Sequence, residues 1–201
     1  MTMMKTPLGT LLVVSGPSGS GKTTLCRRAT ENGLCVYSIS CTTRPSRTGE
    51  VNGVDYHFLS LEEFAAREAA GDFLEHAHVH GNRYGTLKAD ILNLLEQGKT
   101  VVMDIDVQGA EQVRACRDGL LARCYADVYI HVPQEELQNR LCGRRTDCDD
   151  VISLRLRNAA QEDARLPEYR YCLVSSDRET DYAAFAALIK CQSMRVELMR
   201  P

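Results

Sequence analysis

The sequence has no apolar run near the roughly 18 residues that a membrane-spanning helix requires. The apolar stretch at residues 11–14 is too short for a signal peptide, and no small-residue cleavage site follows it. Internal repeats and low-complexity tracts are also missing. These absences predict a soluble, cytoplasmic protein that has no membrane partner.

No C-x-x-C pair occurs, although the chain has nine cysteines. An odd number of cysteines, spaced unlike zinc ligands, is typical of free thiols in a reducing compartment. His76, His78 and His80 would share one face of a strand, with Glu75 on the opposite face. This arrangement favours packed or solvated histidines, and a zinc site is the alternative.

The chain has little net charge, because 24 basic and 27 acidic residues leave −3 at pH 7. That balance argues against a nucleic-acid partner. Of the 24 basic residues, 19 are arginine, whose planar side chain binds phosphate or carboxylate through paired hydrogen bonds. A codon bias toward arginine would give the same count. With 201 residues and 44% hydrophobic composition, the chain can form one compact domain with a sizeable core.

A glycine-rich motif follows the first apolar run. Residues 16–23 read G-P-S-G-S-G-K-T, a full match to the phosphate-binding loop (P-loop) pattern G-x-x-x-x-G-K-[ST]. In such a loop, backbone N–H groups surround the phosphates, the lysine reaches the outer ones, and the Thr hydroxyl can ligate Mg²⁺. The residues predicted to bind the di- or triphosphate of a nucleotide are Gly16, Pro17, Ser18, Gly19, Ser20, Gly21, Lys22, Thr23 and Thr24.

Other nucleotide-binding motifs are missing. The N-K-x-D motif with which GTPases read their base does not occur, and neither does G-x-G-x-x-G. A GTPase and a dinucleotide oxidoreductase are therefore both disfavoured.

Two carboxylates end a second apolar run, T-V-V-M-D-I-D at residues 100–106. In a strand, Asp104 and Asp106 would project to one face, at the sheet edge where parallel α/β proteins bind ligands. Asp104 is the candidate that would complete an Mg²⁺ site with Thr23. The alternative is that one carboxylate caps the following helix and the other is solvated.

Strand-like and helix-like segments alternate along the chain, which predicts an α/β fold with a parallel sheet. The predicted strands are residues 10–15, 36–40, 100–105, 126–132 and 171–174. The predicted helices are residues 22–29, 60–70, 87–97, 107–117, 135–141, 149–164 and 181–199. Between residues 42 and 84, turns and short alternating segments instead predict a small β-rich insertion.

Two of the helices carry further signals. Ser60 followed by Glu63 predicts a capping box at the start of one of them. On the last helix, an apolar stripe is predicted to pack in the core, formed by Phe185, Leu188, Ile189, Val196 and Met199.

Six motifs occur in order: the P-loop, S-x-T-T-R-x-x-R-x-G-E at 40–50, Tyr56, F-L-E at 73–75, G-N-x-Y-G-T at 81–86 and D-I-D-x-Q-G at 104–109. Together they resemble the guanylate kinase family of P-loop nucleoside monophosphate kinases, over residues 11–177. The resemblance implies a P-loop NTPase core, with a parallel sheet flanked by helices, at 1–35 and 85–201. It also implies a helical lid at about 137–157 and a mixed, β-rich GMP-binding insertion at 36–84.

The same resemblance implies the reaction and the residues that carry it. The family transfers the γ-phosphoryl group of ATP, bound with Mg²⁺, to GMP or dGMP, and the chain would act as a monomer or homodimer. The implied GMP-binding residues are Ser40, Arg44, Arg47, Tyr56, Glu75, Tyr84, Thr86 and Asp106. The implied catalytic residues are Lys22, Arg44, Arg144 and Arg155, and the implied metal ligands are Thr23 and Asp104.

Within this set the resemblance implies a division of labour. Arg44, Arg47, Tyr56 and Tyr84 hold the acceptor phosphate. Glu75 accepts hydrogen bonds from guanine N1–H and the 2-amino group, and Ser40 and Thr86 donate toward O6. Arg145 departs from a glycine common in the lid, and Ser175-Ser176 stands where many members have Asn-Asp, so adenine contacts are not assigned.

Two alternatives use the same fold. A catalytically silent scaffold module usually loses the phosphate loop, whereas residues 16–23 are complete here. A ribose-bisphosphate kinase would have no use for Glu75 or Tyr56. Both alternatives are therefore less favoured than a guanylate kinase.

Overall fold

A five-stranded, all-parallel sheet forms the centre of the computed structural model, which describes residues 6–79, 81–143 and 149–200. In spatial order the strands are β2 (Val36–Tyr37), β7 (Val101–Asp104), β1 (Leu11–Ser15), β8 (Tyr125–His131) and β9 (Tyr171–Val174). Because β1 lies in the middle, the glycine-rich loop that follows it emerges at the centre of the carboxyl edge, where such sheets bind ligands.

Helices cover both faces of this sheet, and the alternation of β1 side chains divides the core accordingly. Leu11 and Val13 pack in one buried cluster with residues of α3 (Lys88–Glu96) and α4 (Val107–Ala115). Leu12 and Val14 pack in the other cluster, with residues of α1 (Lys22–Glu31), α8 (Arg178–Gln192) and their neighbours. A short helix, α5 (Gly119–Cys124), leads into β8.

A second, four-stranded sheet is mixed. Its strands, in spatial order, are β4 (His57–Phe58), β3 (Cys41–Thr42), β6 (Asn82–Leu87) and β5 (Phe73–Val79). Helix α2 (Leu61–Ala70) covers it, and the rings of Phe64 and Phe73 stack with centroids 4.4 Å apart. The parallel sheet flanked by helices and the separate mixed sheet confirm the predicted fold class.

Helices α6 (Gln134–Gly143) and α7 (Asp149–Asp163) share a small apolar cluster of their own. They form the region predicted as a lid, of which residues 144–148, including Arg144 and Arg145, lie outside the described residues. Among the helices of the described ranges, none is long and apolar enough to cross a membrane.

The limits of the mixed sheet differ from the predicted limits of the insertion, residues 36–84. The strand at Val36–Tyr37 pairs with β7 of the central sheet, although residue 36 was the predicted start of the insertion. At the other end, β6 continues to Leu87, beyond the predicted end at residue 84.

Several local predictions are confirmed. The capping box is present, because the Ser60 hydroxyl accepts from Glu63 N at 3.1 Å and the Glu63 carboxylate accepts from Ser60 N at 2.8 Å. The strand at residues 171–174 has the predicted limits. The eight cysteines of the described ranges are free thiols, and Cys148 lies outside them.

The prediction of one long C-terminal helix was wrong. Helix α8 ends at Gln192, and Val196 and Met199 are 81% and 40% exposed rather than packed in the core. The Arg195 guanidinium donates to the carbonyl oxygens of Cys124 and Tyr125 at 2.8 and 3.1 Å. These bonds hold the chain after the helix against α5 and β8, and a 3₁₀ turn then buries Leu198 instead.

The prediction of which β5 side chains share a face was also incomplete. A register shift between Phe73 and Glu75 lets two consecutive residues, Leu74 and Glu75, be buried. His76 and His78 are exposed, and His80 lies outside the described residues.

Candidate active site

The glycine-rich loop depends on glycine at its first position. Gly16 has a φ of 141°, and a Cβ there would lie 2.4 Å from the Ile130 carbonyl oxygen on β8. Gly21, with a φ of 92°, is the N-cap of α1. The loop thus passes close to the sheet and turns directly into a helix, which directs backbone N–H groups at a common point.

Lys22 and Thr23 begin α1 and line a cavity of about 420 Å³ at the carboxyl edge of the central sheet. The Lys22 ammonium donates to the Gly16 and Pro17 carbonyl oxygens at 2.5 and 3.1 Å. The Thr23 hydroxyl donates to Asp104 Oδ2 at 2.5 Å. The structure therefore brings together the two residues predicted to hold a metal.

The donor set at this point fits Mg²⁺. A hydroxyl and a carboxylate meet at the cavity wall, and Mg²⁺ prefers hard oxygen ligands while keeping several waters. The Tyr37 hydroxyl also donates to Asp104 Oδ2, at 3.3 Å, and orients the carboxylate from the β2 side.

Asp106 has a different position from the one predicted. Strand β7 ends at Asp104, so the two carboxylates do not share a strand face. Instead, Asp106 is the N-cap of α4, and its Oδ1 accepts from the backbone N–H groups of Gln108 and Gly109 at 3.0 and 2.8 Å. The capping alternative is correct for this residue, which still lines the cavity.

Glu162, near the end of α7, lines the same cavity and was missed in the sequence. Burial raises the pKa of its carboxyl to about 7; the charge of Lys22 opposes that shift, and the charges of Asp106 and Asp163 add to it. No motif marks this residue, because its burial depends on how α7 crosses the phosphate loop.

Arg155 connects α7 to the loop by donating to the Ser18 hydroxyl at 3.0 Å. The other predicted arginine of this region, Arg144, lies outside the described residues.

The arginine-rich stretch after β3 is organised by Glu50. One carboxylate oxygen accepts from the Arg44 guanidinium at 2.8 Å, and the other accepts from the backbone N–H of Arg47 at 2.7 Å. The hydrogen bond from Arg44 is the largest cause that lowers the pKa of Glu50. Glu50 is part of the quoted motif, so its sequence signal was present although no role was predicted for it.

Two tyrosines complete this group. The Arg44 guanidinium lies over the Tyr56 ring, 5.5 Å from its centroid, and the Tyr56 and Tyr84 rings make an edge contact at 6.1 Å. Arg44 is held with only 13% of its side chain exposed, whereas Arg47 is exposed. The structure thus places Arg44, Tyr56 and Tyr84 together, with Arg47 exposed in the same loop as Arg44.

A buried carboxylate lies in the same mixed sheet, where Glu75 of β5 pairs with Thr86 of β6. Glu75 is 5% exposed, and its Oε1 accepts from the Thr86 hydroxyl at 2.7 Å. The Thr86 and Ser40 hydroxyls are in turn 3.1 Å apart. Burial raises the pKa of Glu75, and the Thr86 hydrogen bond opposes that shift. Ser40, Glu75 and Thr86, all predicted to read a base, therefore form one hydrogen-bonded set.

A second cavity, of about 620 Å³, lies on the α1 side of the phosphate loop between Arg28, Arg140 and the start of α8. On its wall Arg140 donates to the Ser175 hydroxyl at 3.0 Å, and Ser175 donates to Asp181 at 2.5 Å. Ser176 contacts the same carboxylate through its backbone N–H at 2.8 Å. Asp181 thus orders Ser175 and Ser176, the pair to which no adenine contact was assigned.

Comparison with known proteins gives a consistent result. The family model described as guanylate kinase matches residues 8–192. Guanylate kinase of Alkalilimnicola ehrlichii is 44% identical over 96% of this chain and 94% of its own length. Guanylate kinase of Clostridium perfringens is 39% identical over 96% of this chain and 88% of its own length.

A solved structure is similar over nearly the whole chain. The crystal structure of guanylate kinase from Anaplasma phagocytophilum has a TM-score of 0.75 and 29% sequence identity. The match covers 98% of this chain and 92% of that one.

Proposed function

The chain belongs to the guanylate kinase family, and we propose that it transfers the γ-phosphoryl group of ATP, bound with Mg²⁺, to GMP or dGMP. The products are ADP and GDP or dGDP, so the reaction supplies guanine nucleotides for GTP formation. The observation that carries the proposal is the buried set of Ser40, Glu75 and Thr86 in the same molecule as a complete phosphate loop.

The donor binds at the phosphate loop. The loop N–H groups and Lys22 surround its phosphates, and Thr23 with Asp104 would hold Mg²⁺, which neutralises phosphate charge when bound. The donor base then extends into the second cavity, beside Arg140 and Ser176. That cavity adjoins the start of α1 and is large enough for a purine.

The acceptor phosphate binds to Arg44, Arg47, Tyr56 and Tyr84. Two guanidinium groups and two phenol hydroxyls satisfy a phosphate dianion through charge-assisted hydrogen bonds without a metal. Glu50 supports this role, because it holds the Arg44 guanidinium and the Arg47 backbone in one loop before any phosphate arrives.

The base is selected by the buried set. In its ionised form Glu75 accepts from guanine N1–H and the 2-amino group, while Ser40 donates toward O6. The Thr86 hydroxyl proton, which is donated to Glu75 in the structure, would turn toward O6 when the base binds. Adenine has no N1–H and no 2-amino group, so AMP would leave the buried Glu75 carboxylate without the two hydrogen bonds that guanine donates to it. Asp106, whose Oδ2 is not used in capping α4, adds a further contact on the guanine side.

The reaction needs alignment and charge neutralisation more than acid–base chemistry. An oxygen of the GMP phosphate attacks the γ-phosphorus, and the bond from that phosphorus to the β–γ bridging oxygen breaks. The attacking oxygen is already anionic, so no side chain has to remove a proton. Lys22, Arg44, Arg144 and Arg155 stabilise the charge on the moving group, and closure of α6 and α7 excludes water.

A coupled assay of ADP formation tests the proposal directly. The purified chain is supplied with ATP, Mg²⁺ and, in separate reactions, GMP, dGMP, AMP, UMP or no acceptor. We expect turnover with the two guanine nucleotides alone. Turnover with no acceptor, or no turnover with any of them, contradicts the proposal and favours an ATPase or a silent binding module.

The base-reading role of Glu75 is tested by Glu75→Gln. The glutamine NH₂ group would face guanine N1–H or the 2-amino group, where the glutamate has an acceptor oxygen. We therefore expect kcat/KM for GMP to fall roughly hundredfold or more, with KM for ATP unchanged. If the variant phosphorylated GMP as efficiently as the parent enzyme, Glu75 would not be the guanine reader.

A further inference from the structure

Strand β5 carries Glu75 and is an edge strand, since among the strands of the described residues it pairs with β6 alone. The outer edge of such a strand exposes backbone N–H and C=O groups that need partners. Here one side chain supplies both partners. The Gln112 amide of α4 donates to the His76 carbonyl oxygen at 2.9 Å and accepts from the His76 N–H at 3.0 Å.

The Gln112 amide replaces a neighbouring strand at this position, because it both donates to and accepts from the backbone of His76. That residue directly follows Glu75 in the sequence. The bonds also join two parts of the molecule, since Ala110 and Val113 of α4 pack in the core of the central sheet. Gln112 therefore connects the central sheet to the strand that carries the base-reading carboxylate.

Helix α4 also limits the position of the Glu75 carboxylate, through Gly109. A Cβ on Gly109 would lie 3.1 Å from Glu75 Oε2, so a larger residue at the start of α4 would shift the carboxylate by a few tenths of an ångström. The positive end of the helix dipole there favours the ionised form of Glu75. A small shift of β5 along α4 would change both this contact and the direction in which Glu75 presents its oxygens.

We propose that Gln112 is a positioning residue for guanine selection, which holds β5 on α4 so that Glu75 can accept two hydrogen bonds from the base. The proposal rests on the function proposed above. Gln112 touches neither nucleotide in this scheme and acts through the backbone of His76.

The test compares Gln112→Met with the parent. Methionine has a similar length and shape but cannot form either bond to His76. The readouts are kcat and KM for GMP, KM for ATP, and the same constants for inosine monophosphate (IMP), which keeps N1–H and lacks the 2-amino group. The control is Gln97→Met, because Gln97 is the exposed C-cap of α3 and its side-chain amide donates to the neighbouring Asn93 side chain.

We expect kcat/KM for GMP to fall roughly tenfold in Gln112→Met, with KM for ATP within twofold of the parent. The preference for GMP over IMP should also fall, because GMP uses two hydrogen bonds to Glu75 and IMP uses one. The loss should disappear when Gln112→Met is made in a Glu75→Gln background. Gln97→Met should leave all these constants unchanged.

Three results would overturn the proposal: an unchanged GMP-to-IMP preference, equal losses for GMP and ATP, or additive losses in the double variant. If Gln112→Met does not fold, Gln112→Glu replaces it. A carboxylate accepts from His76 N–H but repels the His76 carbonyl oxygen. A protonated carboxyl can accept from that N–H and donate to that carbonyl oxygen. Its deficit relative to the parent should then shrink as pH is lowered, and a constant deficit contradicts the proposal.

The failure of this inference differs from failure of the proposed function. If the parent chain does not phosphorylate GMP, the function itself is wrong. If the parent does so and the Gln112 variants match it, only the positioning role is wrong.

Discussion

At the level of single residues, the two arginines assigned to the acceptor phosphate have different surroundings. Arg44 is largely buried, bonded to Glu50 and stacked near Tyr56, whereas Arg47 is exposed. Arg44 is thus already oriented in the structure, and we expect Arg47 to become ordered when a phosphate binds. The difference lies in their packing, since both have the same charge.

We predict that Arg44→Lys and Arg47→Lys each raise KM for GMP roughly tenfold or more and leave KM for ATP nearly unchanged. Lysine keeps the charge but loses the paired hydrogen bonds that a guanidinium offers a phosphate. Steady-state kinetics with each substrate varied in turn measures the effect. Equal increases in both KM values would mean that these arginines do not belong to the acceptor.

Glu162 gives a prediction for stability. Its pKa in the folded protein is raised to about 7, chiefly by burial, above the ordinary value of 4.5. The folded state therefore holds a proton that the unfolded state releases between about pH 4.5 and 7. The contribution of Glu162 to stability is full below that window and is lost as pH rises through it.

We predict that Glu162→Gln flattens the fall in unfolding free energy between pH 5 and 7, by at most about 1.4 kcal/mol per pH unit. Urea unfolding of parent and variant at several pH values measures the two slopes. Glu31→Gln, at an exposed glutamate of α1, is the control for loss of one charge. Identical slopes in parent and Glu162→Gln would show that the carboxyl is not buried in this way.

Among the elements, those with a local signal could be predicted from the sequence. The strand before the phosphate loop, the strand at residues 171–174 and the capped helix after Ser60 follow from apolar runs and end signals in the sequence itself. The end of α8 could not, because Val196 and Met199 continue the helical spacing. Contacts of Arg195 with distant backbone decide where that helix stops.

The candidate site shows the same division. The phosphate loop and Glu75 belong to contiguous motifs, so their residues could be identified without a structure. Asp106 was misplaced because strand periodicity was extended two residues past the end of β7. Gln112 and Glu162 were not identified, since each depends on the packing of elements far apart in the sequence.

In the whole molecule, the proposed reaction requires three parts to meet at the moving phosphoryl group. In that proposal the central sheet holds the donor and the mixed sheet holds the acceptor. Helix α7 contacts the phosphate loop at Ser18. Asp163, at the end of α7, accepts from the Tyr129 hydroxyl at 2.7 Å and lies 3.3 Å from His131 Nδ1. These contacts fix one end of α7 to β8, so that Arg155 can reach the phosphate loop.

The positive charge of Arg155 on α7 should stabilise the transition state of phosphoryl transfer more than it strengthens substrate binding. We therefore predict that Arg155→Ala lowers kcat roughly hundredfold, with KM for GMP changed by less than threefold. Arg157→Ala, at an exposed arginine two positions further along the same helix, is the matched control and should keep kcat within twofold. Single-turnover measurements with saturating ATP and GMP separate the transfer step from product release. A rise in KM for GMP as large as the fall in kcat would show that Arg155 binds the acceptor. Helix α7 would then serve the acceptor site rather than the moving phosphoryl group.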